Sequence, residues 1–344
     1  MERAFHIDDG LRQKITNAVF GCTLAILFMH LPFAGIGEGA VYGALEPLTR
    51  LAVPVFFAVS GLLLGGRVGE AGWYGALLQK RFRTLVVPYF LLNTLMIPFL
   101  VVYHNVLGQG NWAPGGVSFD WYSVSRIYGL TYSYTPAVSP LWYVRCLIFF
   151  FLLSPVLVFV LRLSKAVAAM ALVGLFGLVT VVPAWLGGSF WDKFFYWFFN
   201  LKGLFYFAVG IALGYWRVSC GAFFARHRGA FQAGAGVVLL ALLLTRVPFA
   251  WPMLPLEVLL FWIALPSVRL PPSLTRLSFT LYVTHMLVYE GIRFALHKSA
   301  LLDGLFQRTL FVPVFVALLA AALLALFLRR CCPRFGQLLL GGRV

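Results

Sequence analysis

The chain has 344 residues, of which 61% are hydrophobic and only 11% are charged, although its basic residues give a formal net charge of +16. A soluble domain carries charge on roughly a quarter of its residues, so this composition excludes an ordinary soluble protein and predicts a membrane protein. The basic residues stand mostly in short segments between apolar runs and accompany no RNA-binding pattern. We therefore expect no nucleic-acid partner.

Ten apolar runs approach the roughly 20 residues that a helix needs to cross a bilayer. They predict an all-α, polytopic membrane helix bundle of about ten transmembrane helices. We treat 1–344 as one transmembrane domain, with a short N-terminal segment at 1–15 and a short basic tail at 329–344. The predicted spans are 16–33, 48–66, 85–104, 141–161, 166–186, 203–216, 230–246, 252–266, 277–296 and 309–328.

The lysines and arginines predict the orientation of this bundle. Most of the 27 fall in segments that are cytoplasmic if the N-terminus is cytoplasmic, so both termini are expected inside. The five cysteines show no metal-ligand spacing, and we expect packing thiols and no metal.

The first run ends near His30, an ionisable side chain in an apolar helix. Such a residue costs a few kcal/mol at membrane depth and usually serves a site or a pathway. The predicted orientation places it in the outer half of the first span. Histidine is the natural general base near neutral pH, so His30 is the first candidate for catalysis.

The next two runs carry small and basic residues. Ser60 and Gly61 lie within the second run, where small side chains allow close helix packing or serve a site. A basic cluster, Lys80, Arg81 and Arg83, then precedes the third run. Its guanidinium and ammonium groups suit either anionic lipid head groups or the phosphates of a cytoplasmic donor.

Two later runs contain further ionisable residues. The fourth opens with Trp142 and Tyr143 and holds Arg145, which either snorkels to the interface or is a buried site cation. The ninth holds His285, and a second intramembrane histidine favours a functional site over simple packing. Glu257 in the eighth run is expected to be a further buried carboxylate.

Taken in order, five segments resemble the acyltransferase 3 family of integral membrane acyltransferases. They are His30 at the end of the first span, then PVFFAVSGLLLG, KRFRTLVVPYF, PLWYVRCLIFFFLLSPVL and LSFTLYVTHMLV. They extend over residues 15–295. The fourth segment, with its arginine, is similar to the branch of fucose 4-O-acetylase-like and surface-polysaccharide O-acetyltransferases.

The resemblance implies a ten-helix enzyme in the bacterial inner membrane. It would move an acyl group, commonly acetyl from cytoplasmic acetyl-CoA, to a hydroxyl of a carbohydrate or glycolipid, without a metal. The implied residues are His30, Arg145 and His285 for catalysis, Lys80, Arg81 and Arg83 for the donor, and Trp142, Tyr143, Tyr282 and Ser60 for the substrate.

The implied chemistry gives His30 the role of base, or of a transient acyl carrier. Arg145 or a tyrosine or tryptophan group would stabilise the oxyanion of the tetrahedral intermediate. One position departs from the family, which usually has an arginine eleven residues before the histidine, where this chain has Val19. Either Arg145 or Lys14 supplies that charge, or the activity has changed.

Two other functions stay open at the level of sequence. A polysaccharide exporter or flippase would need a continuous polar pathway, which the few intramembrane charges disfavour. A scaffold without catalysis is the other alternative, because of Val19. The acceptor, the acyl chain length and the oligomeric state are also left open.

Overall fold

The computed structural model describes residues 9–31, 49–106, 117–130, 136–186, 194, 198–216, 226–244, 253–266, 268–296 and 311–342. All regular elements in these ranges are helical, which confirms the predicted all-α class. The helices are α1 Asp9–Met29, α2 Ala52–Gly65, α3 Trp73–Val106, α4 Trp121–Ile127, α5 Trp142–Leu163, α6 Lys165–Leu186, α7 Leu201–Tyr215, α8 Arg228–Leu244, α9 Leu254–Ala264, α10 Ser278–Leu296, α11 Phe311–Cys331 and α12 Pro333–Leu339.

Three stretches of helix are by themselves long and apolar enough to cross a membrane. They are Trp73–Val106, Ser139–Leu163 and Val312–Cys331. Five shorter apolar helices accompany them in the described ranges: Ala52–Gly65, Lys165–Thr180, Leu201–Tyr215, Arg228–Leu242 and Leu254–Ala264. The chain is thus an apolar helix bundle, while the count of ten spans and the cytoplasmic termini stay predictions.

The closest helix pair in the bundle is α2 against α7, and glycines form the seam. A Cβ on Gly61 would lie 2.9 Å from the Ile211 nitrogen, and one on Gly210 would lie 2.8 Å from the Leu62 nitrogen. Gly65 and Gly214 repeat this pattern one turn further along. Two backbones that approach so closely gain dispersion contacts without a hydrophobic driving force, as small-residue pairs do in membranes.

Helix α3 is irregular where it carries the basic cluster. A π-helical stretch, Phe82–Val86, follows Arg81, and Pro88 has no N–H to donate to the Thr84 carbonyl. The C-terminal end of the chain packs here, since a Cβ on Gly341 would lie 3.0 Å from the Thr84 Cα. Gly341 also has a φ of +60°, so this close contact requires glycine.

The connection from α3 to α5 is held by buried polar groups. The Asn93 side chain accepts a hydrogen bond from the Val138 N–H at 3.0 Å, and the Tyr89 hydroxyl donates to the Tyr128 carbonyl at 2.5 Å. Asp120 caps α4 by accepting from the Ser123 N–H at 2.7 Å. Because this bond favours the charged carboxylate, the pKa of Asp120 lies below its usual value. These contacts fix the position at which α5 begins.

Candidate functional site

Helices α1, α2, α5 and α10 contribute to the wall of a cavity of about 640 Å³. On α1 its lining runs from Ile15 to Thr23, a distance of about 12 Å at 1.5 Å per residue. One end of the cavity is lined by arginines and the other by hydroxyl-bearing side chains. We call these the basic end and the tyrosine end.

The basic end brings together Arg81 of α3 and Arg276, which precedes α10. The Arg81 guanidinium carbon lies 4.3 Å from the ring centroid of Phe151. The chain leading to Arg276 is tied to α1, because the Asn17 side-chain amide donates to the Pro266 and Val268 carbonyls at 2.9 and 2.8 Å. Two guanidinium groups from distant parts of the sequence therefore line one cavity.

The rest of the predicted basic cluster lies elsewhere. Lys80 and Arg83 are exposed and line a separate, shallow depression on α3 together with Ala76, Gln79 and Thr84. Successive helical residues point about 100° apart, so three neighbouring basic side chains do not face one cavity. The structure thus divides the predicted donor-binding set, with Arg81 alone on the cavity side.

The tyrosine end contains three of the predicted substrate residues, Ser60, Tyr143 and Tyr282. The Ser60 Oγ lies 3.4 Å from the Tyr143 hydroxyl, and the rings of Tyr143 and Tyr282 have centroids 6.2 Å apart. The Tyr282 hydroxyl donates to the Pro140 carbonyl at the start of α5. Trp142 packs edge-on against Tyr143, outside the described lining.

The two predicted catalytic histidines meet beyond the tyrosine end. The Nδ1 atom of His30 lies 3.3 Å from the Nε2 atom of His285, although 255 positions separate them in the chain. His285 is fully buried, and its ring centroid lies 6.2 Å from that of Tyr282. Since Tyr282 lines the cavity, it forms the wall between the cavity and the histidine pair.

The hydrogen-bond partners assign the tautomers of this pair. His285 Nδ1 lies 2.7 Å from the Tyr282 carbonyl and therefore carries the proton, which leaves its Nε2 as an acceptor. His30 Nδ1 lies 2.9 Å from the Ile26 carbonyl and also carries a proton, shared with His285 Nε2. In this neutral tautomer the lone pair of His30 is on Nε2, the atom that can accept a proton from a substrate.

Arg145 is buried but faces another part of the molecule. Its guanidinium donates to the Gly129 carbonyl at 2.5 Å and to the Phe198 carbonyl at 3.4 Å, and its Cζ lies 4.6 Å from the Phe198 ring centroid. The side chain thereby joins the start of α5 to two connecting segments. It is absent from the described cavity lining, so the structure does not bring it to His30 and His285.

Val19, the position at which the sequence lacks the expected arginine, lines the cavity. The two suggested sources of the missing charge do not. Lys14 places its Nζ 5.2 Å from the ring centroid of Trp262, and Arg145 contacts Gly129. Among the described residues, the arginines that line this cavity are Arg81 and Arg276.

Sequence reasoning missed two residues near this site. Arg276 was counted only toward orientation, and its signal was its place two residues before the run that contains His285. Tyr289 donates from its hydroxyl to the Leu27 carbonyl at 3.1 Å and so joins α10 to α1 beside the histidines. Glu257 is buried, as the apolar run around it predicted. No cluster of three potential metal ligands occurs among the described residues.

Comparison with known proteins agrees with this arrangement. A family model described as an acyltransferase domain, that of the acyltransferase 3 family, matches residues 20–329. No curated protein and no solved structure matches the chain significantly. The matched range extends from α1 through α11 and includes both histidines, the cavity and most of the apolar helices. The chain therefore belongs to the acyltransferase 3 family of membrane acyltransferases.

Proposed function

We propose that the protein is an O-acyltransferase that moves an acyl group, in the first place acetyl, from acyl-CoA to a hydroxyl of a carbohydrate or glycolipid. The observation that carries this proposal is the polarity of the cavity. Arg81 and Arg276 line one end and Tyr282 the other, with His285 one helical turn further along α10. An acyl-CoA has the same polarity, because its phosphates and its reactive thioester lie at opposite ends of a long arm.

The proposed donor enters from the cytoplasm. The positive-inside rule favours the arginine-lined end on that side, with both termini there and ten helices crossing a bacterial inner membrane. Guanidinium groups form paired, charge-assisted hydrogen bonds with phosphate oxygens, so Arg81 suits the donor phosphates. Lys80 and Arg83, on the outer side of α3, would raise the local concentration of the anionic donor or bind lipid head groups.

The acceptor hydroxyl is proposed to approach His30 from the opposite side. Its oxygen attacks the thioester carbonyl while His30 Nε2 takes the hydroxyl proton. The tetrahedral intermediate then collapses, the carbon–sulfur bond breaks, and the thiolate takes that proton to leave as free CoA. Because Tyr282 separates the cavity from the histidines, its ring must turn aside in the reactive complex.

We assign the remaining candidates by their positions. The Tyr143 hydroxyl, in the cavity wall beside Ser60, is placed to donate to the oxyanion. Arg145 acts by holding the entrance of α5, which carries Tyr143, and Trp142 supports the Tyr143 ring. His285 orients His30. The similarity of the fourth run to the surface-polysaccharide branch supports a polysaccharide acceptor at the cell envelope.

The test uses the purified full chain in nanodiscs with acetyl-CoA labelled in its acetyl group. We expect thiol release that depends on an added glycan, with the label appearing in the glycan as an ester. His30→Ala should remove both signals, and the exposed His227→Ala serves as the matched control. Glycan movement across vesicles without consumption of acetyl-CoA would instead support an exporter. Neither transfer nor movement would support the scaffold.

A further inference from the structure

Arg276 stands at a junction that sequence patterns do not single out. It follows the short helical turn Pro272–Thr275 and precedes α10, a helix of 19 residues. Its neighbours Thr275, Ser278 and Phe279 line the cavity together with it. The first turn of α10 and the Arg276 side chain therefore face the same space as Arg81.

This combination has the chemistry of a phosphate site. The first N–H groups of a helix have no acceptor within the helix, and they carry the positive end of its dipole. A guanidinium group adds a planar pair of donors that matches two phosphate oxygens. Arg81 approaches from α3, which packs against α5 through Phe151. A group between Arg81 and Arg276 would thus meet cationic donors from two sides.

The segment that carries Arg276 is held in place from α1. Asn17 binds both the Pro266 and Val268 carbonyls, and the Ser278 hydroxyl donates to the Thr275 carbonyl at 2.8 Å. These bonds order the backbone on each side of the arginine. A site whose backbone is ordered beforehand loses less entropy when the ligand binds.

We propose that Arg276 is a donor-binding residue that pairs with Arg81 to hold the phosphates of the CoA moiety. This inference rests on the proposed function and adds a residue to its donor site. It also assigns the cationic role within the cavity to the α10 entrance, across from Val19, and not to Lys14 or Arg145. The acyl arm would then lie along α1 toward Tyr282.

The experiment measures binding of coenzyme A and of pantetheine, which lacks the nucleotide and its phosphates, to the purified full chain in nanodiscs of neutral lipid. Arg276→Gln should weaken the binding of coenzyme A about tenfold, because one charge-assisted contact is lost. Arg276→Lys should weaken it less, about threefold, since the charge stays but the planar fork is lost. Pantetheine should bind all variants equally. The difference between wild type and Arg276→Gln should shrink as salt is raised.

The matched control is Arg269→Gln, which removes the same charge from an exposed position seven residues earlier, outside the described cavity lining. Its affinity for coenzyme A should stay within twofold of wild type. In a transfer assay, Arg276→Gln should raise the KM for acetyl-CoA with kcat nearly unchanged, which a merely structural role would not produce.

Two outcomes overturn the proposal in distinguishable ways. If wild type binds coenzyme A and Arg276→Gln binds it equally tightly, Arg276 is not a phosphate ligand, although the acyltransferase function stands. If wild type does not bind coenzyme A at all, the proposed donor is wrong and the assignment of Arg276 falls with it.

Discussion

His30 and His285 lie with Nδ1 and Nε2 3.3 Å apart, each anchored by its own helix through a backbone carbonyl. The contact joins the end of α1 to the middle of α10. Its asymmetry distinguishes the two rings. His285 is fully buried and uses both nitrogens within the protein, whereas His30 is only partly buried and keeps Nε2 for another group.

This asymmetry predicts different effects of the two alanine variants. His30→Ala should lower the rate of acyl transfer by about 10²- to 10⁴-fold, the usual contribution of a general base. His285→Ala should lower it less, because it removes only the partner that orients His30. The double variant should be no slower than His30→Ala alone, since both act through one group. Rates of CoA release in nanodiscs test this, and two fully additive losses would contradict it.

Tyr282 and Tyr143 should differ as well. Tyr282→Phe removes the bond to the buried Pro140 carbonyl and should destabilise the protein by about 1–3 kcal/mol, because an acceptor is left unsatisfied. Tyr143→Phe removes only a long contact with Ser60 and should change stability little, while slowing transfer if its hydroxyl serves the oxyanion. Thermal unfolding in detergent and the transfer rate separate the effects. Equal loss of stability in both variants would argue against this assignment.

Arg145 is expected to behave as a structural residue. Arg145→Gln loses charged hydrogen bonds to the Gly129 and Phe198 carbonyls and should cost about 2–4 kcal/mol of stability. Arg145→Lys keeps the charge but cannot contact both carbonyls, so it should recover only part of that loss. The readout is the midpoint of unfolding, together with the transfer rate of the folded fraction. A normal midpoint with abolished transfer would instead support direct catalysis.

The glycine seam gives a prediction about folding alone. Gly61→Val or Gly210→Val would force α2 and α7 apart and should destabilise the bundle by about 3 kcal/mol or more. Gly174→Ala is the matched control, because a Cβ there meets nothing within 4 Å. That variant should be neutral or slightly stabilising, since alanine favours helix over glycine. Unfolding in detergent measures both, and a tolerated valine in the seam would contradict the close approach.

The sequence by itself determined the class of this protein. Runs of about 20 apolar residues must become helices in lipid, because each backbone polar group has to be satisfied within its own segment. The same runs made His30, Arg145, Glu257 and His285 conspicuous, since ionisable side chains are costly there. The ordered motifs around them also predicted the family that the family model then confirmed over residues 20–329.

Only the tertiary structure decided which of these residues meet. A helix that is apolar on all sides carries little information about which face packs inward, so the sequence could not orient Arg145 away from His30 or turn Lys80 and Arg83 from the cavity. Those choices follow from close contacts between helices, such as the α2–α7 glycine seam, and from hydrogen bonds between distant segments, such as Asn17 to Val268. The same contacts place Arg276 beside Arg81 in the cavity wall, because packing, and not separation along the chain, sets the distance between side chains.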